Sequence, residues 1–385
     1  VTRETLVQWL FRFAALAMLM LGGMAWIWQQ VIERHIVAGE SVVDITFSPD
    51  GSHVAAATFA DESISVWSLD GSRGRMRFAP PTCTLHSLEF SPDSRQLLSS
   101  AFGRLRAENV TRIYPGRIDV WDLDSGRSKR TIYIDDGAVA GIGYLNPTVA
   151  AGVLRNSVGH FNLSNGQLVE KLPLPKMSYD RLRITNDGRQ LVYGFPSNTS
   201  NVTVWDIAAD SLVFHQNDAL TQINNMDVSR DGAWVAICGK GGGRGGRLRV
   251  WSVENDEEFH CDAGIPELID VRILSDNSGV ITADMRGVCL LWKRDGNRIS
   301  RSKQFNIDGV PSRMALSSDN RLAAVVTSES ISVWDVATGI RKNVLVEPPK
   351  LYSLRQIPRI GKWVLVGLSL TLFLWSFRHQ IRLPR

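Results

Sequence analysis

Along most of the chain, apolar and polar positions alternate in short runs, and each run ends in a cluster of Gly, Pro, Asp or Ser. A period of two places one apolar row on one face of a β-strand, and such clusters mark the reversals between strands. The unit is complete in VVDITFSPDGSHVAAATFADESISVWSLDG, residues 42–71. One strand ends in a Phe-Ser-Pro-Asp-Gly turn at Phe47 to Gly51, a second follows, and a third closes on Val66-Trp67 before Leu-Asp-Gly. Proline presets the backbone at the second turn position and Asp-Gly tolerates a tight reversal, so the pattern predicts three short antiparallel strands.

The unit recurs as FSPDSRQLL with IDVWDLDSG, ITNDGRQLV with VTVWDIAAD, VSRDGAWVA with LRVWSVEND, LSDNSGVIT with VCLLWKRDG, and LSSDNRLAA with ISVWDVATG. A degenerate copy, GYLNPTVAAGVLRNSVGHFNLSNG, carries Phe161 where the others have Trp. The markers are therefore Trp67, Trp121, Phe161, Trp205, Trp251, Trp292 and Trp334, separated by 54, 40, 44, 46, 41 and 42 residues. That period is the length of a four-stranded propeller blade.

These residues resemble the WD-repeat β-propeller family over residues 33–385, with Trp121-Asp122, Trp205-Asp206 and Trp334-Asp335 matching its signature dipeptide. The Phe-Ser-Pro-Asp turns at Phe47 and Phe90 are similar to those of bacterial members. The chain departs from the family in lacking the Gly-His pair before each blade, and of the turn aspartates six residues before each Trp it keeps Asp61 alone. The resemblance implies an all-β ring used for protein interaction.

Near the C-terminus, GKWVLVGLSLTLFLWSF aligns without a gap on NRLAAVVTSESISVWDV, and Trp375 lies 41 residues after Trp334. The uncharged run 363–377 would reach only about 22 Å as a helix, short of the roughly 30 Å of a bilayer core. The register therefore predicts an eight-bladed propeller, in which ERHIVAGE (33–40) supplies a strand that completes the last blade. The alternative is a seven-bladed ring followed by a second membrane helix.

Residues 13–32, FAALAMLMLGGMAWIWQQVI, are uncharged and long enough for one transmembrane helix, with Trp9 near one end and Trp26 and Trp28 near the other. A cleaved signal peptide and a buried helix are the competing readings. This divides the chain into an anchor, 1–32, and a propeller, 33–385. Arg3 and Arg12 precede the helix, so the positive-inside bias predicts a single-pass protein with its propeller outside the cytoplasm, in the periplasm.

Composition changes this picture little. The 385 residues are 44% hydrophobic and 21% charged, with a net charge of +4, which suits a large core and does not by itself call for nucleic acid. Cys83, Cys238, Cys261 and Cys289 are far apart, and the seven His show no ligand spacing, so no metal or cofactor is expected. The chain has no nucleophile elbow, zinc-protease helix or phosphate loop; GKGGGRGGRLRV is glycine-rich but joins two strands. The informative irregularity is loop length. AFGRLRAENVTRIYPGR in the second blade and the glycine-rich run in the fifth are both second-to-third strand hairpins. Together they would present Arg104, Arg106, Arg112, Arg117, Lys240, Arg244 and Arg247 on one face, a basic surface for an acidic protein surface or an anionic polymer. The expected function is a membrane-anchored, non-catalytic interaction scaffold. The alternatives are the sensor domain of a receptor, such as a bacterial Ser/Thr kinase with its catalytic part outside this chain, or an enzyme or small-ligand carrier using the central channel.

Overall fold

A computed structural model describes residues 42–346 apart from short internal stretches, the longest being 175–180 and 195–200. Every repeat among the described residues folds as one antiparallel four-stranded sheet whose strands follow each other in sequence. Sheet 1 is β1 (Val42–Phe47), β2 (His53–Thr58), β3 (Ser63–Ser68) and β4 (Met76–Phe78). Sheet 2 is β5 (Cys83–Phe90), β6 (Gln96–Ala107), β7 (Val110–Asp122) and β8 (Arg127–Ile134). Sheet 3 is β9 (Gly141–Asn146), β10 (Val149–Val153), β11 (Ser157–Asn162) and β12 (Leu168–Pro173). Sheet 4 is β13 (Arg181–Ile184), β14 (Gln190–Gly194), β15 (Val202–Asp206) and β16 (Ser211–Gln216). Sheet 5 is β17 (Gln222–Val228), β18 (Trp234–Lys240), β19 (Gly246–Ser252) and β20 (Glu258–Cys261). Sheet 6 is β21 (Leu268–Ile273), β22 (Gly279–Asp284), β23 (Val288–Asp295) and β24 (Arg298–Asn306). Sheet 7 is β25 (Pro311–Leu316), β26 (Leu322–Thr327), β27 (Ile331–Asp335) and β28 (Ile340–Val346).

The second strands, such as HVAAAT and LAAVVT, are apolar almost throughout because neighbouring sheets cover both of their faces. Their alanines let the sheets approach closely. The outer strands read differently: β12, LVEKLP, is almost wholly exposed. Packing between sheets resolves into seven apolar cores, each shared by two neighbours. An open row of seven sheets would have six. The seventh core joins Ala324, Val326 and Val333 of sheet 7 to Ile45, Val54 and Ala56 of sheet 1, and Arg313 Nε donates to the Val43 carbonyl across the same seam at 3.3 Å.

The ring thus closes with seven blades, and the eight-bladed expectation is corrected. Sheet 7 takes all four of its strands from Pro311–Val346 and packs directly on sheet 1. Residues 348–385, with Trp375, separate as a second unit and lie outside the described residues, as do ERHIVAGE and residues 13–32. Among the described residues there is no helix, and hence none long and apolar enough to cross a membrane.

The first turns of blades 1, 2, 5 and 7 are built alike. Ser48 Oγ donates to Asp50 and accepts from the His53 amide, and the same geometry recurs at Ser91, Ser229 and Ser317. The fourth turn residue has positive φ: Gly51, Ser94, Gly232, Asn277 and Asn320. Where it carries a polar side chain, it reaches back to the preceding blade. Ser94 Oγ accepts the Asp50 amide, Asn277 Nδ2 donates to Asp231, and Asn320 Oδ1 accepts the Ser275 amide at 2.7 Å.

Candidate functional site

Two features of the ring can meet a ligand or partner: the face bearing the second-to-third strand hairpins, and the central channel. On the first, β6 and β7 run for 12 and 13 residues, well beyond their counterparts, and form the longest hairpin of the ring. The glycine-rich loop joins β18 to β19 in the same topological position, three blades away. Both leave the ring from one face, because every blade has the same strand order.

The predicted basic cluster is only partly assembled there. The backbones of Arg104, Arg106 and Arg112 lie in the β6–β7 ladder, opposite Ile113, Thr111 and Leu105, while their side chains lie outside the described residues, as does Arg244. Lys240 is exposed at the end of β18, and Arg247 is half-buried, its stem laid against Gly241. Arg117 must be removed from the cluster. It is 7% exposed, its Nε lies 2.6 Å from Asp119, and Thr131 Oγ1 donates to the same carboxylate at 2.5 Å. An arginine so paired braces blade 2 and has no surface to offer. The blade markers Trp67, Trp121, Phe161, Trp251, Trp292 and Trp334 are buried and Trp205 is half-buried. The indoles of Trp121 and Trp292 donate to Ser99 and Thr282 on the second strand of their own blades.

The channel holds a site the sequence pattern did not flag. The innermost strands enclose a cavity of about 270 Å³, into which Glu89, Arg183, Asp227 and Arg272 project from four different blades. Each precedes the apolar residue that ends its first strand, in EFSPD, RITND, DVSRD and RILSD. A charge at that fixed offset was the available signal. Arg272 is fastened by its Nε to the Met314 carbonyl at 2.7 Å and lies 3.4 Å from Asp270. Asp270, fully buried, accepts the Met314 amide at 2.6 Å and Asn225 Nδ2 at 2.7 Å, so one carboxylate ties blades 5, 6 and 7. Asp44 does the same between blades 1 and 2, accepting the amides of Ile45 and Leu88.

The enclosure shifts the channel's ionisation. Burial, with Asp44 nearby, pushes Glu89 up to about 8 against the pull of Arg183 and Arg230. Burial likewise raises Asp227, opposed by Arg272 and Arg183. Burial works against the charge of Arg272, but Asp270, Asp227 and Asp44 outweigh it and hold its proton more firmly than usual. Desolvation and the like charge of Arg272 loosen the proton of Arg183. The channel is thus a polar, nearly charge-balanced enclosure. No group of His, Cys, Asp and Glu able to hold a metal ion occurs among the described residues.

Comparisons with known proteins agree with this architecture. The family model described as WD domain, G-beta repeat matches residues 28–68. Eukaryotic translation initiation factor 3 subunit I of Neurospora crassa is 26% identical over 192 residues, 49% of this chain and 54% of that protein. Cilia- and flagella-associated protein 52 of Sus scrofa is 21% identical over 295 residues, 66% of this chain and 46% of that protein. The chain spans about half the length of these curated relatives. A chain in the crystal structure of a mitotic checkpoint complex superposes with a TM-score of 0.59 over 78% of this chain and 92% of its own. At 17% identity, that likeness is one of fold.

Proposed function

The chain belongs to the WD-repeat β-propeller family, and from that premise we propose that it is a non-catalytic scaffold that binds protein partners. The observation that carries this reading is the pair of hairpins, one extended and one glycine-rich, raised on the same face of a closed ring. A ring locked by seven cores holds such loops at a fixed separation, and loops on a rigid frame are where recognition concentrates. The relatives point the same way by their names: one is a subunit of an initiation factor, and the superposed chain is part of a checkpoint complex. The basic residues Arg104, Arg106, Arg112, Lys240, Arg244 and Arg247 favour an acidic partner. Residues 13–32 would hold the propeller to a membrane, on its extracytoplasmic side by the charge bias.

The test is crosslinking and affinity capture from native membranes with the full chain and with Arg104→Glu, Arg106→Glu and Arg112→Glu combined. A partner retained by the wild type and lost by the variant is the expected result. Finding no stable partner would overturn the scaffold reading, and an unaffected partner would overturn the hairpin face. Extraction at alkaline pH checks the anchor, which should keep the chain in the membrane pellet.

A further inference from the structure

The outer wall of the ring is electrically lopsided. Four consecutive blades, 6, 7, 1 and 2, have the outer strands RISRSKQFN, IRKNVLV, MRF and RSKRTIYI, which contain nine Lys and Arg and not one Asp or Glu. The outer strands of blades 3, 4 and 5, LVEKLP, SLVFHQ and EFHC, carry two Glu and a single Lys. A charged edge is a common device against strand-to-strand aggregation, but that need is equal for every blade and would not single out one side. The basic side chains are well exposed, as at Arg127, Lys129, Arg298 and Lys303. Some are also held in place: Arg301 and Arg341 lie over the Trp292 and Trp334 rings at 5.7 and 5.8 Å.

Carboxylates at its margin offset only part of this charge. Asp70 and Asp122 sit in adjoining turns, Lys342 Nζ lies 3.8 Å from Asp335, and Asp308 is matched by Arg341, while Arg127, Lys129, Arg298, Arg301 and Lys303 keep the arc positive. The four blades are neighbours because the ring closes between 7 and 1, so strands from opposite ends of the sequence form one surface. Blade 1, within the arc, is also where the ring begins at Val42, ten residues after the uncharged stretch 13–32.

We propose that this arc is a lipid-facing surface that rests on anionic headgroups, so that the propeller meets the bilayer with the rim of blades 6, 7, 1 and 2. The proposal rests on the reading that residues 13–32 reach a bilayer. A tether joined to blade 1 keeps that side near the membrane, and Lys and Arg within a Debye length of an anionic leaflet are drawn to it.

The test uses the full chain in lipid nanodiscs made of phosphatidylcholine alone or with phosphatidylglycerol, with lysine reactivity toward an acylating reagent read by mass spectrometry. Lys129, Lys303 and Lys342 should react at least about threefold more slowly on the phosphatidylglycerol discs, while Lys171 and Lys240 keep their rates. The protection should vanish near 1 M salt, where the Debye length falls to about 3 Å. It should also vanish in the double variant Arg127→Glu, Arg298→Glu, which leaves every reporter lysine in place; circular dichroism checks its fold. Equal rates on the two kinds of disc would overturn the proposal. A duplex oligonucleotide that protects the same lysines on phosphatidylcholine discs, where phosphatidylglycerol does not, would reassign the arc to nucleic acid and also overturn it. A chain that fails to stay with discs once detergent is removed would refute the anchor separately. The arc is then judged by sedimentation with phosphatidylglycerol vesicles, and absence of binding there would refute the arc as well.

Discussion

Asp270 shows how much of the ring rests on single side chains. Its carboxylate has no exposed surface and accepts hydrogen bonds from two neighbouring blades while facing Arg272. Removing it leaves the buried guanidinium without its paired charge and the Met314 amide without its acceptor, and breaking a buried pair in this way costs about 3–5 kcal/mol. Asp270→Ala should therefore lower unfolding stability by that order in urea titrations. Glu89 acts in the opposite sense. Its folded-state value of about 8 lies above the ordinary 4.5, so the folded state binds the proton more tightly than the unfolded one. Its contribution to stability is full below about 4.5 and is lost as pH rises through 8. Thermal midpoints measured between pH 5 and 8.5 should fall with rising pH, and Glu89→Gln should flatten that decline. Neither residue stands out in the sequence as chemistry. Apart from the fixed offset of Glu89 before the end of its strand, each reads as one more polar position in an alternating strand, because the blades that surround it are far away along the chain.

At the scale of elements, the turns were legible in full and their cross-blade bonds were not. Ser-Pro-Asp-Gly and its variants announce the reversal, but nothing local says that the fourth residue touches another blade. Asn320→Gly removes the acceptor of the Ser275 amide, worth about 1 kcal/mol, and relieves a positive φ worth a similar amount. Global stability should hardly change, while hydrogen exchange at Ser275 should quicken. The glycines at the inner end of the hairpins make a related point. A Cβ at Gly246 would stand 2.0 Å from the Pro266 carbonyl in the segment entering blade 6, so backbone would have to move. Gly246→Ala should destabilise by about 1–3 kcal/mol, as overpacked sites do, with the loss visible in chemical denaturation. The hairpin charges divide for the same reason of context: Arg117 looks like its neighbours in the sequence, but Asp119, two residues along the same strand, takes it out of the surface.

For the whole molecule, the seam between blades 7 and 1 is decisive. Ala324 is fully buried in the core shared with Ile45, Val54 and Ala56. Ala324→Leu should cost about 1–3 kcal/mol and raise amide exchange in both β1 and β26, although they start 280 residues apart. Exchange raised in β26 alone would mean that the seam is looser than the packing implies.

By itself, the sequence determined the repeat, its period, the strand-turn-strand content of each blade and the Trp markers, because these follow from alternation and turn chemistry within a few dozen residues. Tertiary structure decided the number of blades, since closure depends on how seven sheet faces meet and not on whether another segment fits the same register. It also decided which arginines are braces and which are surface, assembled the channel charges from four blades, and set β24, β28, β4 and β8 side by side as one basic wall. Each of these depends on contacts between distant parts of the chain, which alternation along a single strand cannot encode.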